Sequence, residues 1–344
     1  MLISTTNLTL HSIGIGKGWL HYAAKSKEMI NIVIKRPEDL MTSREQTRAG
    51  FVAFALEKNR RSNPIIKSAK SFKVLASKAK VAKDLLNIAE IQPALLTAAG
   101  LSDKAINYFE EVDKKKAILA LIENFLEPEG KYFVDEVVYR YLLIKGDSLG
   151  GSMRNIVGSI AQQKLIRALL SNLSIAGIDY RWLDNKTKKW EMKPSNDLTI
   201  EEQLKALSWK GKGDKDRVLS FNLNIPIVGN NIDICLFSSD IERFNNGEIV
   251  NRPEKIVMLG ELKGGIDPAG ADEHWKTGNT ALNRIRESFA RHNLKVKTSF
   301  IAAAIERKMA AEIFAQLQNK TLSNAANLTI DEQLVNYCDW LLKL

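Results

Sequence analysis

Residues Ile256 to Lys263 read IVMLGELK, an apolar, β-branched-rich run that closes in Gly260-Glu261-Leu262-Lys263. Such a run predicts a strand. Successive side chains of a strand point to opposite faces, so Glu261 and Lys263 would project together while Leu262 turns into the core. Upstream, Phe221 to Ile227 (FNLNIPI) and Ile232 to Phe237 (IDICLF) read as two further strands, joined by the turn residues Gly229-Asn230-Asn231 in a hairpin. Asp233 sits near the start of the second arm between Ile232 and Ile234, and an acid inside an apolar strand costs stability unless it has a partner or a metal.

Two carboxylates and an ammonium in this pattern suit phosphodiester chemistry. Asp233 and Glu261 would hold a hard divalent cation through oxygen, with the Leu262 carbonyl as a further ligand, and Mg²⁺ fits such a set. Lys263 would orient the attacking water or offset charge building on phosphorus. Phosphodiester hydrolysis in water is slow enough that a barrier reduction on the order of 20 kcal/mol is needed, so no single side chain suffices. The plain alternative is an exposed strand end carrying an ion pair between Glu261 and Lys263.

The segment GELKGGIDPAGADEHWKT (Gly260 to Thr277), with Asp233 upstream, resembles the AvaI/BsoBI family of type II restriction endonucleases. The likeness extends to TRAGFVAFALEKN (Thr47 to Asn59), NTALNRIRESF (Asn279 to Phe289), FIAAAIERKMAAEIFAQLQ (Phe300 to Gln318) and NAANLT (Asn324 to Thr329). The resemblance implies a homodimer with a PD-(D/E)xK catalytic core and an added helical domain. It implies Mg²⁺-dependent cutting of both strands of double-stranded DNA at a short, palindromic, degenerate site of the C-Y-C-G-R-G kind. A cognate DNA methyltransferase is then a functional rather than a physical partner. Asp233, Glu261 and Lys263 match the family's catalytic positions, and His274 matches a histidine that the family places beside the active site. One departure is that Asn231-Ile232, not a proline, precedes Asp233.

His274 lies in Asp272-Glu273-His274-Trp275-Lys276, a stretch too polar for a core stripe. It would accept a proton from the attacking water or contact the phosphate, the alternative being a hydrogen-bonded structural histidine. Asp267 and Glu273, read as part of one loop with it, would accept hydrogen bonds from cytosine N4 amino groups in the major groove, while Lys276 joins the DNA-contact set. Alternatively Asp267, before Pro268, only initiates a turn.

A net charge of +10 and a pI near 9.4 suit a protein that displaces counterions from a polyanion. The clustering says more than the total: between Arg44 and Lys83 ten basic residues, from Arg48 to Lys83, face only Glu45 and Glu57. Arg48 is the candidate there for contact with a guanine or a phosphate. Cys235 and Cys338 lie far apart without CxxC spacing, which argues against a zinc site or a disulfide framework and for two small buried apolar side chains. No signal-peptide pattern and no run of membrane-span length occurs, so a cytoplasmic protein is expected. Gly14 to Gly18 (GIGKG) lacks the spacing of a phosphate loop.

The 344 residues allow two domains. The expected fold is α/β, a mixed sheet flanked by helices. Residues 1–36 would pack on the catalytic domain, 37–128 would form a mostly helical, DNA-embracing domain, and 129–344 would form the catalytic domain. Helices are predicted over Arg44 to Asn59, Ser68 to Ile91 and Asp113 to Leu126, punctuated by Pro64, Pro93 and Pro128, with Ser102-Asp103 capping another. Lys145 to Asn155 reads as a glycine-rich turn opening a helix, whose amides with Arg154 would cradle a DNA phosphate unless the turn is purely structural. Tyr180 to Met192 reads as a strand pair. Lys210 to Arg217 (KGKGDKDR) reads as a flexible basic loop in which Lys210 and Lys212 either clamp the DNA backbone or are solvated surface. Arg284, Arg286 and Arg291 face DNA or the dimer partner. Two other readings remain open: a structure-specific nuclease on the same core, and a basic DNA-binding protein without catalysis.

Overall fold

The computed structural model describes residues 33–194 and 199–344. The expected packing of residues 1–36 therefore lies outside the described residues up to position 32, as does the GIGKG segment. Beyond it, Ile34 and Leu40 are buried in the core of the sheet.

The chain enters through α1 (Arg44–Ala76). Ser43 opens it with a capping box: its hydroxyl accepts from the Gln46 amide at 3.2 Å, and the Gln46 side chain accepts from the Ser43 amide at 2.7 Å, which satisfies two of the otherwise unpaired helix donors. The helix does not stop near Asn59 as the spacing predicts; it runs through Pro64. Proline there removes the bond to the Arg60 carbonyl and costs roughly 3 kcal/mol. The helix persists because its far end docks independently, with Ala69, Phe72 and Ala76 buried and the Phe72 ring 5.4 Å from Tyr141. Short elements follow: α2 (Gln92–Ala98), α3 (Asp103–Ile106), capped by Ser102 as expected, and α4 (Glu111–Leu121). The predicted helix over Ser68 to Ile91 is instead the end of α1 followed by tight single turns at Ala82–Asn87 and Ala89–Ile91.

Helix α5 (Phe133–Ile175) is 43 residues long and corrects the reading of Lys145 to Asn155. No turn interrupts it. Its glycines weaken the helix by about 1 kcal/mol each relative to alanine, a cost that burial at both ends offsets. Phe133, Val137, Val138 and Tyr141 join the helical core; Ala161, Leu165, Leu169 and Leu173 join the core of the sheet. Because the amides around Arg154 lie inside a helix, no free helix N-terminus exists there to cradle a phosphate.

The sheet begins with β1 (Tyr180–Asp184) and β2 (Trp190–Met192), the expected strand pair, and continues through β3 (Leu204–Lys210), β4 (Asp216–Ile225) and β5 (Asn230–Phe237). After a short α6 (Ile241–Asn245) come β6 (Ile256–Lys263), α7 (Ala271–Ala290), β7 (Lys297–Ala302), α8 (Arg307–Gln318), β8 (Asn324–Asn327) and α9 (Asp331–Leu342). The eight strands lie in the order β2-β1-β3-β4-β5-β6-β7-β8. Pairing is antiparallel as far as β6 and parallel from β6 to β8, so this is a mixed sheet flanked by helices, as expected. One face packs on α7 and α8, the other on the second half of α5 and on α9. Strand β6 has cores on both sides, which explains its nearly unbroken apolar sequence.

The NAANLT segment owes its character to this packing. Asn327 is fully buried; its side-chain amide donates to the Leu40 carbonyl at 2.9 Å and to the Thr42 hydroxyl at 2.8 Å, tying the entry of α1 to the end of β8. Cys235 and Cys338 are free and buried, as expected of small apolar side chains. Among the described residues no helix is long and apolar enough to cross a membrane.

Candidate active site

Asp233, Glu261 and Lys263 converge where the β5–β6 ladder ends. The last paired residues are Ile234 and Gly260. One step further the strands part, and the Leu262 amide, which a continued ladder would give to a backbone carbonyl of β5, donates instead to Asp233 Oδ2 at 2.8 Å. The same oxygen lies 3.4 Å from Lys263 Nζ, which also reaches Glu261 Oε2 at 2.6 Å. Leu262 turns into the opposite core, so the two-residue period predicted from the sequence places Glu261 and Lys263 on the α7 side together.

The electrostatics of the trio are unbalanced. Glu261 is 4 % exposed, and burial first, then the Asp233 charge, push its carboxyl up to about 7 against the pull of Lys263. Burial draws the Lys263 ammonium down, but the two carboxylates outweigh it and hold it above the ordinary lysine range. Two acids sharing one ammonium leave negative charge in a confined place. A hard divalent cation fits that charge and the all-oxygen donors. Among the described residues no cluster of three or more His, Cys, Asp or Glu side chains is arranged to hold a metal, so water, a backbone carbonyl or phosphate oxygens would complete the shell, as Mg²⁺ prefers.

The trio opens on a cavity of about 360 Å³ between the β4–β5 hairpin and α7. Asn230 and Asn231 form one wall; Thr277, Ala281 and Arg284 form the other. Those three, with His274, are spaced three and four apart and share one stripe of α7. That spacing is the signal that would have singled out Thr277 and Ala281. Arg284 is exposed on this wall. Arg286 differs: half-buried, it donates to the Thr321 carbonyl at 2.8 Å and to Asn283 Oδ1 at 2.7 Å, so it braces the fold. Arg291 donates to the Ser288 hydroxyl at 3.1 Å.

Asp272 to Lys276 form the first turns of α7, not part of a loop. His274 is half-buried there and is not among the residues lining the cavity. Its ring packs against the second glycine of the pair that follows β6: a β-carbon on Gly265 would lie 2.4 Å from His274 Cε1, and one on Gly264 would lie 2.5 Å from the Val157 carbonyl of α5. Only glycine lets this loop pass between α5 and α7. Asp267 is exposed and its Oδ1 accepts from the Ala269 amide at 3.0 Å, so it does initiate a turn. Glu273 is exposed on α7, and Lys276 pairs with Asp272 at 2.6 Å.

Other sequence candidates lie elsewhere. Arg48 is exposed on α1, 3.7 Å from Glu45. Lys210 to Arg217 is a tight hairpin, with Lys210 bonded to Asp216 at 3.0 Å and with Gly213 and Asp214 at positive φ. It joins the opposite end of β4 from Asp233, roughly 20 Å away at a strand's rise per residue, so Lys210 and Lys212 are not brought to the cavity. The basic stretch after Arg44 is partly neutralised: Glu57 binds both Arg60 and Arg61, which hold its carboxyl down at about 2, and Lys73 and Lys83 pair with Asp135 and Glu127.

The comparisons with known proteins bear on this geometry. A family model described as restriction endonuclease BsobI matches residues 31–344. The chain is similar to the type II restriction enzyme BsoBI of Geobacillus stearothermophilus, 54% identical over 314 residues that cover 90% of this chain and 97% of that protein. It is also similar to the type II restriction enzyme AvaI of a Nostoc species and of Anabaena variabilis, 48% identical over 314 residues in each case, covering 90% of this chain and 98% of each.

Proposed function

The chain belongs to the BsoBI family of restriction endonucleases and is a type II restriction enzyme, a site-specific deoxyribonuclease; from that premise we propose that Asp233, Glu261 and Lys263 form its catalytic centre on a PD-(D/E)xK core, with Mg²⁺ as cofactor. The observation that carries this reading is the trio itself, Glu261 buried and its two partners half-buried, in which a single ammonium serves two carboxylates at the mouth of a cavity.

Asp233 and Glu261, with the Leu262 carbonyl, would hold the cation. When bound, it polarises the scissile phosphodiester and acidifies water. Lys263, fixed by both carboxylates, orients the attacking water and offsets charge on the phosphorus. His274 contacts a phosphate or accepts a proton from the edge of the site, where its ring is held by Gly265. Asp267 and Glu273 accept from cytosine N4 amino groups, Lys276 and Arg48 contact the backbone, and the site cut is C-Y-C-G-R-G or a close relative. A palindromic duplex has twofold symmetry, so a homodimer places one centre on each strand, with the helical unit between α1 and the first half of α5 enclosing the DNA. A cognate methyltransferase would protect the host's own copies of the site.

Incubating the protein with a sequenced plasmid, in Mg²⁺ and in EDTA, tests the reading as a whole. Metal-dependent fragments whose sequenced ends share one short palindrome are expected; random nicking or retarded but uncut DNA would remove it. Arg284 gives a second test. As a phosphate contact on the cavity wall, Arg284→Ala should weaken binding evenly across DNA sequences and reduce the slope of log affinity against log salt by about one. An unchanged slope in filter-binding titrations would place Arg284 off the DNA.

A further inference from the structure

Strand β4 contains a residue that a strand should not contain. Asn222 has φ of +55°, in the left-handed region that is costly for any residue with a β-carbon and best tolerated by Asn and Asp after glycine. Its place in the register matters more. Phe221 pairs with Ile234 and Leu223 with Ile232, which sets Asn222 directly opposite Asp233.

Both strands change face at this pair. Residues two apart in a regular strand share a face, yet Leu219 and Phe221 lie in the core beside α5 while Leu223 and Ile225 lie on the α7 side. On the partner strand, Leu236 and Ile234 lie on the α5 side and Ile232 on the α7 side. Asp233 lies at this inversion, between Ile234 on one face and Ile232 on the other, and its carboxylate reaches the Leu262 amide and Lys263. The kink is held from outside: the Asn222 amide donates to Gln162 Oε1 on α5 at 2.8 Å, and Lys205 Nζ donates to the adjacent Phe221 carbonyl at 2.9 Å.

We propose that Asn222 is a positioning residue for Asp233, whose left-handed backbone creates the face inversion that turns the Asp233 carboxylate toward β6. The inference rests on Asp233 being catalytic. Local strain of this kind persists where the surrounding structure enforces it, and it clusters at functional sites.

The test compares Asn222→Gly, Asn222→Ala and Asn222→Val in the full chain, reading the single-turnover cleavage rate, the Mg²⁺ concentration for half-maximal rate, and the DNA dissociation constant in Ca²⁺. Glycine keeps the positive φ and loses only the bond to Gln162, so its rate should stay within about threefold of the parent. Valine opposes the conformation most strongly, and its rate should fall roughly 10- to 100-fold, the range that local backbone strain implies. Its Mg²⁺ requirement should rise and its DNA affinity stay unchanged, with alanine in between. A purely structural role would lower stability and DNA affinity together without that split. A valine variant within threefold of the parent would overturn the proposal, as would a glycine variant as impaired as valine. Should valine fail to fold, alanine as active as glycine would overturn it. Asp233→Asn in the same assay keeps the premise separate: if it still cuts, the catalytic assignment fails whatever the Asn222 series shows.

Discussion

Replacing Asp233 with Asn is expected to lower the rate of DNA cleavage on the order of 10³-fold or more, the scale on which loss of a group acting only in the transition state is felt, while DNA binding is kept. The geometry makes this a clean change of charge. Asp233 Oδ2 alone serves both the Leu262 amide and Lys263 Nζ, and the amide oxygen of Asn, placed there, keeps both contacts. What disappears is the negative charge. The repulsion that Asp233 exerts on Glu261 also goes, and a less negative cavity should bind DNA phosphates as well as before or better. Gel shifts in Ca²⁺ beside single-turnover cleavage in Mg²⁺ separate the two effects. Cleavage within tenfold of the parent would show that Asp233 is not a catalytic ligand.

The second large effect is on pH. Glu261 is held up to about 7 by burial and by Asp233, against about 4.3 for an unperturbed glutamate. A carboxyl raised on folding keeps its proton longer in the folded state than in the unfolded one, so its stabilising contribution to the metal-free fold is present below the unfolded value and is lost as pH rises through 7. A divalent cation needs the ionised form. Proton and metal therefore compete, and apparent metal affinity should fall about tenfold for each pH unit below 7. At subsaturating Mg²⁺ the cleavage rate should follow it, and raising Mg²⁺ should move the midpoint to lower pH. A midpoint that ignores the Mg²⁺ concentration would separate the pH dependence from Glu261. In Asp233→Asn, metal-free stability should decline less between pH 5 and 8, because the remaining carboxyl ionises more readily.

The site was more legible than the fold around it. Alternation within Ile256 to Lys263 already put Glu261 and Lys263 on one face, and the hairpin reading put Asp233 on the neighbouring strand. The helices were harder. Pro64 and the glycines after Lys145 are ordinary stop signals, but α1 runs through because its far end docks in the helical core and α5 because its two halves are anchored in separate cores, and local propensity of a few kcal/mol yields to packing on that scale. Arg284 and Arg286, two apart on one helix, read alike in the sequence. Helical geometry puts one on the cavity wall and folds the other onto the Thr321 carbonyl.

The sequence by itself determined the pairing of Glu261 and Lys263 on one face, the mixed α/β character and the family likeness, because these depend on residue types at short, fixed spacings. Only the tertiary structure decided that β5 and β6 part at Asp233, that Asn222 opposes it in a left-handed conformation, and that Lys210 and Lys212 sit at the far end of β4 from Asp233. Strand register and divergence are set by contacts between residues far apart in the chain, and no local pattern encodes where a ladder ends.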